Sequence, residues 1–272
     1  MNFRDSAGYV NQELKSDMKI RVVMTITSFL VFGLSLSSAI IRGESVAGIA
    51  ESREVEIIAP DGVKLKGTFF SANRPGPGVI LFHMCDGKGR DGWSGVASLL
   101  AREGFHTLTF NYRGVGDSEG ERFQGGSLQE VMNYWRTKWG ADMETAFNLL
   151  LSQPGVDKNL IGAGGASCGV YMSLLLAQKH PREVKSLVLL AGPVDAEAKA
   201  FVEKSDHLPI LGATSEEDAR STAWTREILA SSKNKSSRLV VYNGAGHGTN
   251  MLAREKSLEP MIIEFFKTSL SK

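Results

Sequence analysis

The sequence predicts an α/β fold: a mostly parallel eight-stranded sheet with helices on both faces and no separate lid domain. Three observations carry this. After about residue 50, apolar strand-like runs alternate with segments of helical period, the pattern of βαβ units. Several of the runs are continuously apolar, as in Gly78-Val79-Ile80-Leu81-Phe82, which suits a strand buried on both faces. Glycine is abundant, 29 of 272 residues, as a chain with many tight turns requires.

The elements follow in order. Arg53 to Ala59 and Val63 to Phe70 read as an antiparallel hairpin around the turn Pro60-Asp61-Gly62. Gly78 to Phe82 is the third strand, and Trp93 to Glu103 is helical in period. His106 to Tyr112 is the fourth strand. Ser127 opens a long helix to Gln153, capped with Glu130 three residues on and open to a break near Gly140. Leu160 to Gly164 is a short strand, followed by a helix from Val170 to His180 that Pro181 stops. Val184 to Leu190, Ile210 to Thr214 and Arg238 to Tyr242 are the last strands. Helical patterns occupy Glu217 to Ser231 and Met251 to Ser269. The stretch Gly192 to Leu208 reads as a loop too short for a lid.

Composition narrows the function classes. Thirty-one Lys and Arg face thirty Asp and Glu, a net charge of +1, so no electrostatic footprint for nucleic acid is present. Two cysteines, Cys85 and Cys168, exclude a disulfide-dense scaffold and a four-cysteine zinc site.

Residues 1 to 47 form a leader, and residues 48 to 272 the folded domain. Val22 to Ile41 carries no charge, Lys19 and Arg21 precede it, and small residues follow at Ser37-Ser38-Ala39 and Ser45-Val46-Ala47. A positive start, an apolar middle and a small-residue exit are the marks of a signal peptide, here starting at Met18. The expectation is export, periplasmic or secreted, with cleavage before Ile40 or Gly48. A retained membrane anchor, since about 20 apolar residues span a bilayer, is the alternative. It too places the domain outside the cytoplasm, and only then is the membrane a partner.

The chemistry centres on Gly165-Ala166-Ser167-Cys168-Gly169, a G-x-S-x-G sequence between an apolar strand and an apolar helix. A sharp strand-to-helix turn needs small neighbours around a strained nucleophile and lifts its hydroxyl above the sheet. The overlapping Gly162-Ala163-Gly164-Gly165-Ala166-Ser167 imitates a dinucleotide fingerprint, with Glu183 at the distance of its acid. That acid should end the next strand, whereas Glu183 precedes it, so the nucleotide reading is set aside.

Of five histidines, His247 is the candidate base. It stands in Gly244-Ala245-Gly246-His247-Gly248 directly after a strand, where glycines let the loop bend the imidazole toward a neighbouring strand end. His106 reads as structural, His180 as a helix-end cation and His207 as solvated. The acid that orients His247 is sought in Ser215-Glu216-Glu217-Asp218, with Asp218 preferred and Asp195 as runner-up. Glu216 and Glu217 also suit the first turn of the next helix. The chain order Ser, Asp, His is the one this kind of sheet uses. The oxyanion donors are the backbone N–H groups of Cys168 and, from the loop His83-Met84-Cys85-Asp86-Gly87, of Cys85.

At these residues the chain resembles the α/β-hydrolases, particularly the lidless dienelactone-hydrolase-like and serine esterase branches. The likeness runs from about residue 53 to 270. It rests on His83, on Tyr112-Arg113-Gly114-Val115-Gly116-Asp117-Ser118, on the Ser167 elbow, on Pro209 to Asp218 and on Gly246-His247-Gly248. The resemblance implies Ser167, Asp218 and His247 as a triad. Two departures stand out. Met84 replaces the Gly usual after His83, which predicts that its side chain narrows the substrate pocket or shifts the loop. Ser215 stands where Gly is common before the acid. Dienelactone hydrolase itself uses a Cys nucleophile; here Cys168 in that role would put Val170 where a small residue is required. Arg113, Gly114, Gly116 and Asp117 are expected to shape a turn.

The expected activity is a serine hydrolase that cleaves small carboxylic esters through an acyl-enzyme, with no metal or organic cofactor. A serine peptidase on the same residues and a non-catalytic binding protein are the alternatives. If Cys85 and Cys168 both serve one oxyanion, their Cα atoms lie roughly 6–8 Å apart, overlapping the disulfide range. A bridge and two small buried thiols both remain open at this point.

Overall fold

The computed structural model describes residues 51–85 and 88–271. The expected leader, residues 1 to 47, therefore lies outside the described residues. Eight strands form one sheet: β1 (Glu51–Ile58), β2 (Lys64–Ser71), β3 (Gly76–Phe82), β4 (His106–Phe110), β5 (Val156–Ala166), β6 (Val184–Leu190), β7 (Ile210–Ser215) and β8 (Arg238–Tyr242). Their order is β1-β2-β4-β3-β5-β6-β7-β8. β1 and β2 form the antiparallel hairpin, and β2 meets β4 antiparallel; from β4 onward every pairing is parallel.

The helices are α1 (Ser94–Arg102), α2 (Leu128–Tyr134), α3 (Gly140–Ser152), α4 (Cys168–Lys179), α5 (Ala196–Lys204), α6 (Ala219–Ser231), α7 (Asn250–Arg254) and α8 (Leu258–Ser269). Among the described residues, none is long and apolar enough to cross a membrane.

Strand parity sorts the core into two layers. Ile80 and Phe82 of β3, with Leu187 and Leu189 of β6, face one cluster, which Phe147 of α3 and Leu174 of α4 complete. Val79 and Leu81, with Val188 and Leu190, face the other, which Leu100 of α1 and Phe266 of α8 close. Neighbouring residues on a strand point to opposite faces, so a strand covered on both sides buries both its odd and its even positions. β4 and β7 are accordingly buried at every position.

Four segments depart from the sequence reading. The supposed loop Gly192 to Leu208 contains α5, started by Asp195, whose Oδ1 accepts the Ala198 N–H at 2.7 Å. The pattern from Met251 to Ser269 is two helices, because Glu255 leaves helical geometry between them. β5 is longer than expected at eleven residues, its polar first half pairing at the sheet end before the buried run begins. The helix opened by Ser127 has the expected capping box, but its irregularity is a π-turn at Trp135–Trp139 that leads without a break into Gly140.

Candidate active site

β5, β7 and β8 run parallel, so the loops after them emerge on one edge of the sheet. They carry Ser167, Asp218 and His247. Ser167 joins β5 to α4 with φ 53° and ψ −121°, a conformation non-glycine residues rarely adopt. The turn is fixed from both sides. The Ser167 N–H donates to Leu190 O of β6 at 3.0 Å, and its carbonyl takes the Val170 N–H at 2.9 Å. A Cβ on Gly165 would come within 2.0 Å of Gly169 O, and one on Gly169 within 2.3 Å of Phe82 O. Backbone occupies those places, so only glycine fits. Ser167 thereby stands at the N-terminal end of α4, where unpaired N–H groups favour negative charge.

His247 Nδ1 lies 2.5 Å from Asp218 Oδ2, with the imidazole 38% exposed and the carboxylate 20%. With Nδ1–H given to the acid, Nε2 is the nitrogen left to take a proton. Asp218 also caps α6, accepting the Ser221 N–H at 3.3 Å, so its carboxylate is held from two directions. The runner-up Asp195 is occupied elsewhere, capping α5 and pairing with Arg136 at 3.1 Å.

Glu217, which the sequence offered as a rival acid, does something else. Its carboxylate accepts the N–H groups of Gly244 at 2.9 Å and Gly246 at 2.6 Å and the Ser215 hydroxyl at 2.5 Å. The Ser215 hydroxyl in turn accepts the Ala245 N–H at 2.9 Å. The hydrogen bonds from Ser215 and from the loop backbone hold the Glu217 carboxyl down at about 2. Ser215 and Glu217 thus grip the chain just before His247. The signal in the sequence was the Ser215-Glu216-Glu217-Asp218 run itself, which supplies more acceptors than one imidazole uses.

The strand-three loop is anchored by His83. It is fully buried, its Nδ1–H donates to Met84 O at 2.6 Å, and its Nε2 accepts the Tyr112 N–H at 3.2 Å. Burial lowers its pKa to about 4, so the ring is neutral, as that pair of bonds requires. Met84 is buried as well. It is 7% exposed, its sulfur accepts the Thr249 hydroxyl at 3.2 Å, and a Cβ on Gly248 would meet that sulfur at 3.1 Å and Ala166 Cβ at 3.6 Å. The larger side chain thus fills space between the elbow and the His247 loop.

Cys85 and Cys168 are joined in a disulfide, with Cα atoms 5.9 Å apart and a separation of 83 positions in sequence. The bridge ties the strand-three loop to the first residue of α4, beside Ser167, and removes the Cys168 thiol as a nucleophile.

The other motif residues build the frame. Arg113 is buried and forks between Asp142, which takes two bonds at 2.6 and 2.9 Å, and Asp61, at 2.6 and 3.1 Å. The Arg113 hydrogen bond holds the Asp61 carboxyl at about 2. Asp117 accepts from Arg90 and Asn111. The remaining histidines are structural or solvated: His106 accepts the Ala72 N–H at 3.3 Å, His180 faces Glu144 at 2.8 Å, and His207 is half exposed. Among the described residues, no group of three or more His, Cys, Asp or Glu could hold a metal ion.

Comparison with known proteins bears on the fold. Residues 78–209 match the family model of the alpha/beta hydrolase fold. Thiohydrolase aneE of Aspergillus aculeatus is 28% identical over 115 residues, which span 42% of this chain and only 33% of that protein. The dienelactone hydrolase of Anabaena variabilis superposes with a TM-score of 0.62 at 22% identity, covering 82% of this chain and all (100%) of that one. A Pyrococcus furiosus esterase superposes with a TM-score of 0.62 at 18% identity, over 82% and 94% of the two chains. At these identities the solved structures speak for the fold.

Proposed function

The chain is an α/β-hydrolase by fold, and from that premise we propose that it is a serine esterase whose triad is Ser167, His247 and Asp218. The observation that carries the reading is the pairing of a strained serine at a helix N-terminus with a histidine held through Nδ1 by Asp218 on the same sheet edge. In the proposed reaction, His247 Nε2 takes the Ser167 proton as Oγ attacks the ester carbonyl. Asp218 holds the tautomer and stabilises the imidazolium. The backbone N–H groups of Cys168 and Cys85 receive the developing oxyanion. The tetrahedral intermediate collapses, and His247 returns the proton to the leaving alcohol. Water, deprotonated by His247, then releases the acid and restores Ser167.

Thioesters are a second substrate class for the same acyl-enzyme route, favoured by the match to a thiohydrolase. Export is part of the proposal: the leader pattern and a disulfide beside the nucleophile both suit an oxidising compartment.

Labelling with a fluorophosphonate probe tests the reading. Mass spectrometry should find the adduct on Ser167, and Ser167→Ala should abolish it. A folded protein that neither labels nor hydrolyses 4-nitrophenyl acetate or S-phenyl thioacetate would be a binding protein on a hydrolase frame.

A further inference from the structure

A cavity of about 300 Å³ lies against Cys85, the strand-three oxyanion residue of the proposed site, with Val115, Phe123, Val131, Trp135 and Trp139 among its apolar walls and Arg122 and Gln124 among its polar ones. The volume falls at the lower end of the range for small-ligand sites. Resting on the esterase reading above, we infer that this cavity is the substrate subsite for a flat aromatic group carried by the ester.

Three of the walls, Phe123, Trp135 and Trp139, are rings held by stacking. Trp135 and Trp139 stack at 5.7 Å with 10° between planes, and Trp139 stacks on Tyr112 at 4.1 Å with 14°. Tyr112 in turn lies 4.2 Å from the His83 ring and donates its hydroxyl to His83 O at 3.3 Å. A column of rings therefore connects the cavity to the residue that anchors the oxyanion loop. On another wall Phe123 stacks against Tyr134 at 4.6 Å. The Trp135–Trp139 pair sits in the π-turn between α2 and α3, an irregularity of the kind that recurs at functional sites. The disulfide adds position: Cys85 is a wall of the cavity and its sulfur is bonded to Cys168, the neighbour of Ser167. The cavity is thus one disulfide away from the residue beside Ser167. Flat apolar walls stack a flat apolar group better than a flexible chain, which loses rotamer freedom on entry and gains no ring–ring geometry. Trp135 and Phe123 are half-buried, leaving ring surface to be covered.

The test compares two ester pairs by pH-stat: ethyl phenylacetate against ethyl butyrate, and benzyl acetate against butyl acetate. In one pair or both, kcat/KM for the aromatic member should exceed that for the aliphatic one by about tenfold or more. The pair concerned tells whether the acyl or the alcohol side enters the cavity. Trp135→Ala should bring that ratio to within about twofold of unity. Val131→Phe, which fills the cavity without deleting a ring, should do the same if Trp135→Ala fails to fold. Ratios near unity in both pairs, or a preference that survives every folded variant, would overturn the subsite. If fluorophosphonate labels Ser167 and the aliphatic esters turn over, such a result leaves the esterase reading standing. Absence of labelling and of all ester turnover is instead the failure of that reading and takes the subsite with it.

Discussion

Ser167 is held by packing and a covalent bond, His247 by hydrogen bonds, and the two halves of the site answer to different perturbations. On the elbow side, Gly165 and Gly169 bring backbone against backbone, and the Cys85–Cys168 bridge ties the strand-three loop to α4. On the histidine side, Glu217, Ser215 and Asp218 catch Gly244, Ala245, Gly246 and His247 in turn. Sterics and disulfides are indifferent to proton concentration, whereas carboxylate acceptors are not. Reductant should therefore act on the first half and acid on the second. Met84, between Gly248 and the elbow, is where the halves touch.

The largest effects come from removing either chemical partner. Ser167→Ala and His247→Ala should each lower ester turnover by several orders of magnitude, with the double variant scarcely worse than either single one. Steady-state kinetics on all three checks this, and additive losses would mean that the halves do not work as one unit. Asp218→Asn follows, with kcat down about 10³–10⁴ because His247 loses its tautomer control. Asp195→Asn, at a cap that Asn serves equally well, should leave turnover within a factor of about two.

The disulfide comes next. The closed loop is long, so opening it by Cys85→Ser with Cys168→Ser should cost about 2–4 kcal/mol, read from the urea midpoint. Turnover should fall as well, and dithiothreitol should have the same effect on the unsubstituted protein. Full turnover after verified reduction would show that the elbow needs only its packing.

Glu217→Gln sharpens the other half. Gln keeps one acceptor but presents an N–H where Gly244 or Gly246 also presents one. We expect kcat to fall about tenfold with KM little changed, since the loop sets the base and not the binding surface. The sign of the pH effect follows from the depressed carboxyl. The anchor is fully present above about 4.5, the ordinary glutamate value, and is lost as pH falls toward about 2. Hydrogen exchange at the Gly244 and Gly246 amides should accelerate across that window in the native protein and be fast throughout in the variant.

The smallest effect is on overall stability at mild acidity. Buried neutral His83 has its pKa lowered to about 4, so the unfolded chain gains a proton first, and stability should decline as pH falls from about 6.5 to about 4. His83→Gln should flatten that part of the curve in denaturant titrations.

Much of this was legible in the residues. Strands buried on both faces carry continuous apolar runs, such as Val79 to Phe82 of β3 and Leu187 to Leu190 of β6, so they showed themselves, and their alternation with helical segments pointed to the parallel sheet. The elbow was legible because a strained turn accepts few residue types, and Gly246-His247-Gly248 because it follows a strand directly. Such features are local: a dozen residues contain their cause. α5 escaped because its first turn is stabilised by a single Asp195 cap and only Ala198 and Val202 are buried, too little to write a period. The run of adjacent acids made Asp218 the preferred partner of His247 but gave no sign that Glu217 would hold the loop amides. Which carboxylate meets His247 and which meets the loop amides depends on how β7 and β8 are set side by side. The bridge between Cys85 and Cys168, the burial of Met84 and the ring-walled cavity were likewise decided by tertiary structure. Each joins residues far apart in the chain, and a distance between side chains exists only once the sheet has put their strands in order.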